Sequence, residues 1–215
     1  MQLTICGVAG DAMTDNKEFW QRVAKLYAPF MKSSDSLYAD ICKRIEPNIN
    51  RQMNVLELAC GSGQLSFRLA PRVQLWEATD FSENMIAEAK RQKGSRRLHF
   101  SVQDATTLPY APETFDAVVI ANALHIMPQP EKALAEIRRV LKQNGLLFAP
   151  TFIHGKGTGF RLRSRILELA GFHVYSRWSK EDFAAYIENH GFTVTSAEIL
   201  GKSIAPLCYL AAHRH

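Results

Sequence analysis

From residue 55 onward the hydrophobic positions fall in short apolar-rich runs: Val55 to Ala59, Val73 to Ala78, Leu98 to Val102, Phe115 to Ala121 and Leu146 to Phe152. Runs of this length bounded by helical patterns read as strands. Between them the recurrence changes to helical spacing. Ser82 can cap a stretch carrying Met85, Ile86 and Ala89. Pro130 opens another whose apolar stripe is Leu134, Ile137, Val140 and Leu141, closed by Asn144-Gly145. This alternation predicts a parallel sheet with helices on both faces. Further on, Arg161 to Ala170 and Ser179 to His190 read as helices, and Phe192 to Leu200 and Ile204 to Ala212 as strands. The connection between those last two strands is too short for a parallel crossover, so they form a hairpin.

Ahead of the first strand the chain is helical in pattern. Asp15 and Glu18 have capping-box spacing, and Phe19, Trp20, Val23, Leu26, Tyr27 and Phe30 recur on one face. A second stretch, Asp35 to Ile45, ends before Pro47. These segments are expected as an N-terminal helical cap outside the sheet. Residues 1–13, apolar and small without clear periodicity, read as a leader, 14–50 as the cap and 51–215 as the main domain. With 215 residues, 47% of them apolar and 22% charged, the chain suffices for one α/β domain with a full core.

Where the first strand ends, the chemistry begins. Val55-Leu56-Glu57-Leu58-Ala59-Cys60-Gly61-Ser62-Gly63 runs a buried strand into a turn whose glycines let backbone N–H groups approach a ligand. If the next strand is parallel, Asp80 comes up beside the same crevice, where its carboxylate can accept from both hydroxyls of a ribose. A nucleoside therefore fits. Dinucleotides use similar turns, and Gly61-Ser62-Gly63-Gln64-Leu65-Ser66 does not by itself exclude one. Glu57, four residues before Gly61, and Cys60 against the turn discriminate better. In this arrangement the segment resembles the first motif of the class I S-adenosylmethionine-dependent methyltransferases, approximately (V/L)-L-(D/E)-(L/V)-G-(C/A)-G-x-G. Ala59 stands where that family commonly has glycine.

The resemblance implies a Rossmann-like, doubly wound, seven-stranded sheet of order 3-2-1-4-5-7-6 with the last strand antiparallel. It also implies a cofactor, S-adenosyl-L-methionine, held by Glu57, Ala59, Gly61, Gly63 and Asp80. Asp104 and Ala105 would then meet the adenine edge, Phe81 its face, and Asn122 would stand at the end of the fourth strand. The (N/D/S)-P-P-(Y/F) tetrad of enzymes that methylate nucleic-acid bases is missing there. Instead Ala121-Asn122-Ala123-Leu124-His125, Leu108-Pro109-Tyr110, Phe115-Asp116 and Leu141-Lys142-Gln143-Asn144-Gly145 look like the type 11 group, which includes the ubiquinone/menaquinone-biosynthesis C-methyltransferases. A small-molecule acceptor is thereby implied. A sulfonium methyl is already activated, so in-line placement and exclusion of water do most of the work. A base is needed only if the acceptor must lose a proton; His125 and His154 are the candidates for it, and Tyr27 and His154 are candidates for lining the acceptor site.

Charge and cysteine usage narrow the picture little further. The net charge of +5 gathers at Lys90 to Arg97 and at Arg161 to Arg165, runs that usually form solvated helix faces, so nucleic acid is not an expected partner. Cys6, Cys42, Cys60 and Cys208 show no metal spacing and read as reduced thiols, consistent with a cytoplasmic protein. No metal and no membrane span are expected. Two alternatives keep the same glycines and acids: a protein that binds S-adenosylmethionine without turnover, and an NAD-dependent oxidoreductase.

Overall fold

The computed structural model describes residue 21 and residues 35–153, 173–201 and 206–215. Eight strands form one sheet: β1 (Asn54–Leu58), β2 (Leu75–Asp80), β3 (Leu98–Val102), β4 (Phe115–Ile120), β5 (Leu141–Phe148), β6 (Thr151–Phe152), β7 (Phe192–Leu200) and β8 (Leu207–Arg214). Their order is β3-β2-β1-β4-β5-β8-β6, with β7 pairing on β8. The first five are mutually parallel, and β8 runs antiparallel to β5, β6 and β7.

The eighth strand arises from a break in the expected run Leu146 to Phe152. Leu146 faces His213 and Thr151 faces Cys208, so β5 and β6 keep a single register along β8. Pro150 interrupts the ladder because it has no N–H to give; its carbonyl instead accepts the Asn122 N–H at 2.7 Å. With β5 and β6 taken as one edge, the sheet has the expected order 3-2-1-4-5-7-6. Boundaries moved by a few residues at several elements. The second strand runs to Asp80 itself, and the helix expected to close at Asn144-Gly145 stops at Val140 because Leu141 already pairs with Phe115. Asn144 then takes φ 59°. A Cβ on Gly145 would stand 2.8 Å from the Lys142 carbonyl, which explains glycine there.

Helices cover both faces. On one side α1 (Asp35–Ile45) sends Tyr38, Ile41 and Ile45, spaced three and four apart, onto Val55, Trp76 and Val119. The short α2 (Ser66–Leu69) and α3 (Glu83–Ala89) join this layer through Leu69 and Ile86. On the other side α4 (Pro130–Val140) and α5 (Lys180–Glu188) bury Leu134, Ile137, Phe183 and Ile187 against Leu56, Leu58, Val118 and Ile120. Ser82 caps α3 by accepting the Met85 N–H, and Ser179 and Asp182 form a reciprocal box at the start of α5. The cap helix expected from Asp15, the helix expected at Arg161 to Ala170 and the residues expected as a leader lie outside the described residues.

Candidate functional site

The parallel strands β1 to β4 all point their C-terminal ends to one edge of the sheet, and the chemistry-bearing residues collect there. After Leu58 the chain turns through Ala59 (φ 53°), Gly61 (φ 55°) and Gly63 (φ 89°) before entering α2. The turn is pinned to its neighbour: Cys60 N–H donates to the Thr79 carbonyl at 2.9 Å, and Gly61 N–H donates to Asp80 Oδ2 at 2.9 Å. The other oxygen of Asp80 accepts the Ser82 N–H at 2.9 Å. A carboxylate offers about four acceptor positions, so each oxygen keeps capacity for a second donor. Burial pushes the Asp80 carboxyl up to about 6, an effect the bonds from Ser82 and Gly61 oppose.

Ala59, Gly61, Asp80, Phe81, Asp104, Ala105 and Asn122 line one cavity of about 140 Å³. Thus residues from the ends of four strands meet as the sequence implied. Asp104 Oδ1 accepts from both the N–H and the hydroxyl of Thr106, each at 2.8 Å, which fixes the turn after β3. Asn122 is held in the left-handed region, φ 55°, a conformation that asparagine tolerates better than most residues. Its Nδ2 lies 3.5 Å from Tyr38 Oη, and its buried Oδ1 has no hydrogen-bond partner among the described residues. An orphaned acceptor in a cavity wall is costly unless a ligand or water serves it.

Two residues expected to hold the cofactor, Glu57 and Gly63, are not among those that line the cavity. Glu57 is buried, and its carboxylate accepts from Ser66 Oγ and from Trp76 Nε1 at 2.8 Å. Burial raises its carboxyl to about 7 despite those two bonds. Its observed work is to tie β1 to β2 and to the start of α2. Gly63 is glycine for its backbone, at φ 89°, and for packing: a Cβ there would stand 2.7 Å from Phe67 Cε2 and 3.2 Å from Phe100 Cζ. Neither residue lines the cavity.

His125 does not line it either. The residue is 5% exposed, its Nδ1 is 2.9 Å from Thr151 Oγ1, and its ring meets Phe152 edge-on at 6.2 Å. Its carbonyl accepts the N–H groups of Tyr175 and Ser176 at 3.0 and 3.1 Å, anchoring the segment before α5. Tyr27 and His154 lie outside the described residues. Conversely, the wall contains Met85, Gln103, Thr106 and the segments Ala121–Ala123 and Ile126–Gln129, of which only Asn122 was anticipated. Met85 reads in sequence as part of a buried helical stripe, and it is that too, at 2% exposure. The rule that ligands sit beyond the C-terminal ends of parallel strands would have pointed to everything between β4 and Pro130. Among the described residues no group of three or more His, Cys, Asp or Glu side chains gathers as a metal site requires.

With this geometry in place, comparison with known proteins is informative. Residues 56–149 match the family described as "Methyltransferase domain". A demethylmenaquinone methyltransferase of Leptospira interrogans is 35% identical over 142 residues, covering 60% of this chain and 57% of that protein. The chain spans between 38% and 57% of the length of the curated relatives it matches here. Among solved structures, the complex of the Haloferax volcanii Trm112 methyltransferase activator with a methyltransferase contains a similar chain. Its TM-score is 0.77 at 17% identity over 91% of this chain and 98% of that one. The [4+2]-cyclase SpnF superposes with a TM-score of 0.70 at 19% identity over 85% of this chain and 81% of that one. At such identities these structures establish the fold alone.

Proposed function

We propose, from the match of residues 56–149 to the family described as a methyltransferase domain, that this protein transfers a methyl group from S-adenosylmethionine to a small-molecule acceptor and leaves S-adenosylhomocysteine. The observation that carries the reading is the convergence of Gly61, Asp80, Asp104 and Asn122, each at the C-terminal end of a different parallel strand, on one cavity. When bound, S-adenosylmethionine supplies a methyl group already activated by its sulfonium. The chain's own residues bind and orient. Asp80, fixed by two backbone N–H groups, presents its remaining lone pairs to the ribose hydroxyls. Asp104 and Ala105 meet the adenine edge, with Phe81 and Met85 against its face. Asn122 Oδ1, which lacks a partner among the described residues, accepts a donor from the ligand. Ala121, Ala123, Ile126 and Met127 keep water from that end of the cavity.

His125 was one expected base. Its ring is committed to Thr151 and Phe152, so in this reading it supports the β4 end and orders the segment at Tyr175 rather than contacting the acceptor. The likeness to a demethylmenaquinone methyltransferase favours a small-molecule acceptor over nucleic acid. Reduced, buried Cys42, Cys60 and Cys208 suit a cytoplasmic setting, and among the described residues no helix is long and apolar enough to cross a membrane.

The SpnF likeness shows why the fold cannot decide alone, since unrelated chemistries share it. The test is calorimetric titration with S-adenosylhomocysteine and with NAD, followed by a methyl-transfer screen. Binding of the first without heat from the second supports the reading. Binding of NAD alone overturns it, and S-adenosylhomocysteine binding with no transfer to any acceptor leaves a binding protein.

A further inference from the structure

Residues 103–114 connect β3 to β4 without regular structure, yet Gln103–Thr106 must form one wall of the cavity. The opposite wall, Ile126–Gln129, runs directly into the first turn of α4 at Pro130. The far end of the same helix grips the connection. Glu136 Oε2 accepts the Leu108 N–H at 2.7 Å. Arg139 donates from Nη2 to the Leu108 carbonyl at 2.9 Å and from Nη1 to the Tyr110 carbonyl at 2.6 Å. The Arg139 carbonyl in turn accepts the Glu113 N–H at 3.0 Å. The two side chains are locked to each other by bonds of 2.7 Å from Nε to Oε1 and from Nη2 to Oε2.

An exposed ion pair one helical turn apart contributes little by itself. Here the guanidinium fork also serves two loop carbonyls, a task that lysine's single ammonium cannot reproduce. These bonds satisfy backbone groups that otherwise have no ladder. α4 therefore joins one wall by chain continuity and the other by this pair.

We propose that Glu136 and Arg139 are positioning residues for the cavity's ligand, a clamp that sets the Gln103–Thr106 wall against the Ile126–Gln129 wall before the ligand arrives. The inference rests on the adenosyl reading of the cavity. Its test compares Arg139→Met, which keeps the stem and removes every side-chain bond, with Arg139→Lys, which keeps the charge without the fork. S-adenosylhomocysteine affinity, melting temperature and amide exchange over residues 104–113 are measured in each.

Arg139→Met should bind roughly tenfold more weakly, because the ligand must now order the wall. Its loop amides should exchange faster in the free protein and return to wild-type protection in the complex. Arg139→Lys should recover only part of the affinity. A lower melting temperature with unchanged affinity and unchanged loop exchange would assign the pair to stability alone and overturn the proposal. Should Arg139→Met fail to fold, Glu136→Gln, which keeps an acceptor for the Leu108 N–H, gives the same readouts with a smaller loss. Absence of binding by the wild-type protein would mark failure of the adenosyl reading, which removes this inference too; equal binding by wild type and variants marks failure of the clamp.

Discussion

Ala59 occupies a backbone conformation that costs it energy, and replacing it with glycine should stabilise the protein. Its φ is 53°, in the left-handed region, where a Cβ crowds the following carbonyl by roughly 1–2 kcal/mol. Ala59→Gly removes that crowding. Glycine also frees the unfolded chain, an opposing effect of about 0.4–1 kcal/mol. The difference leaves a net stabilisation of about 0.5–1 kcal/mol, which for a chain of this size raises the melting temperature by about 1–4 °C. Ala59→Val sharpens the comparison, since a β-branched residue there is strained and also faces the cavity that Ala59 lines; it should destabilise and weaken ligand binding together. The assay is urea unfolding at fixed pH with unchanged slope. A loss of about 0.4–1 kcal/mol in Ala59→Gly, the value for unfolded-state entropy acting alone, would refute the argument that Ala59 is strained.

Other outcomes follow from the same geometry. Gly63→Ala should destabilise by about 1–3 kcal/mol in thermal unfolding, since φ 89° strains any L side chain and the Cβ would meet Phe67 at 2.7 Å; a neutral result would contradict that geometry. Burial holds the Asp80 carboxyl protonated up to about 6 in the free protein, whereas ribose hydroxyls donate to its ionised form. Affinity for S-adenosylhomocysteine should therefore be level above that pH and fall by up to tenfold per unit below it; calorimetry showing a flat profile between pH 5 and pH 7 would contradict this. His125→Asn should cost about 1–3 kcal/mol of stability through the lost contacts with Thr151 and Phe152. Transfer per folded molecule should stay within a few-fold, and a hundredfold loss of rate with intact cofactor binding would restore His125 as a base.

Much of the fold was legible because the parallel strands are short apolar-rich runs, while the segments between them carry their apolar residues at helical spacing. The break at Pro150 was harder to read: one register along β8 spans it, so hydrophobicity continues while the ladder does not. At the site, the turn after β1 and Asp80 were readable because glycine and an acid at fixed offsets carry local geometric meaning. Glu57 was read as ligand-facing by the same logic, whereas its carboxylate here takes Ser66 and Trp76, partners that sequence offsets do not name. Part of the reason for Gly63 lies in Phe67 and Phe100, contacts that sequence offsets do not encode. Ile126–Gln129 carries no motif, and its place in the cavity wall arises only when β4 pairs beside β1. The Arg139 bonds reach residues about thirty positions away, and a charged helix face read in isolation suggests only solvent.

The central claim is that Asp80 receives the sugar of an adenosyl ligand seated against the Gly61 turn. Calorimetric titration of S-adenosylhomocysteine into the wild-type protein and into Asp80→Ala at neutral pH tests it most directly. The account predicts a single binding event in the wild type, weakened by about 1–3 kcal/mol in the variant through lost charge-assisted hydrogen bonds. No heat from the wild-type protein, or equal affinity in a folded Asp80→Ala, would contradict it.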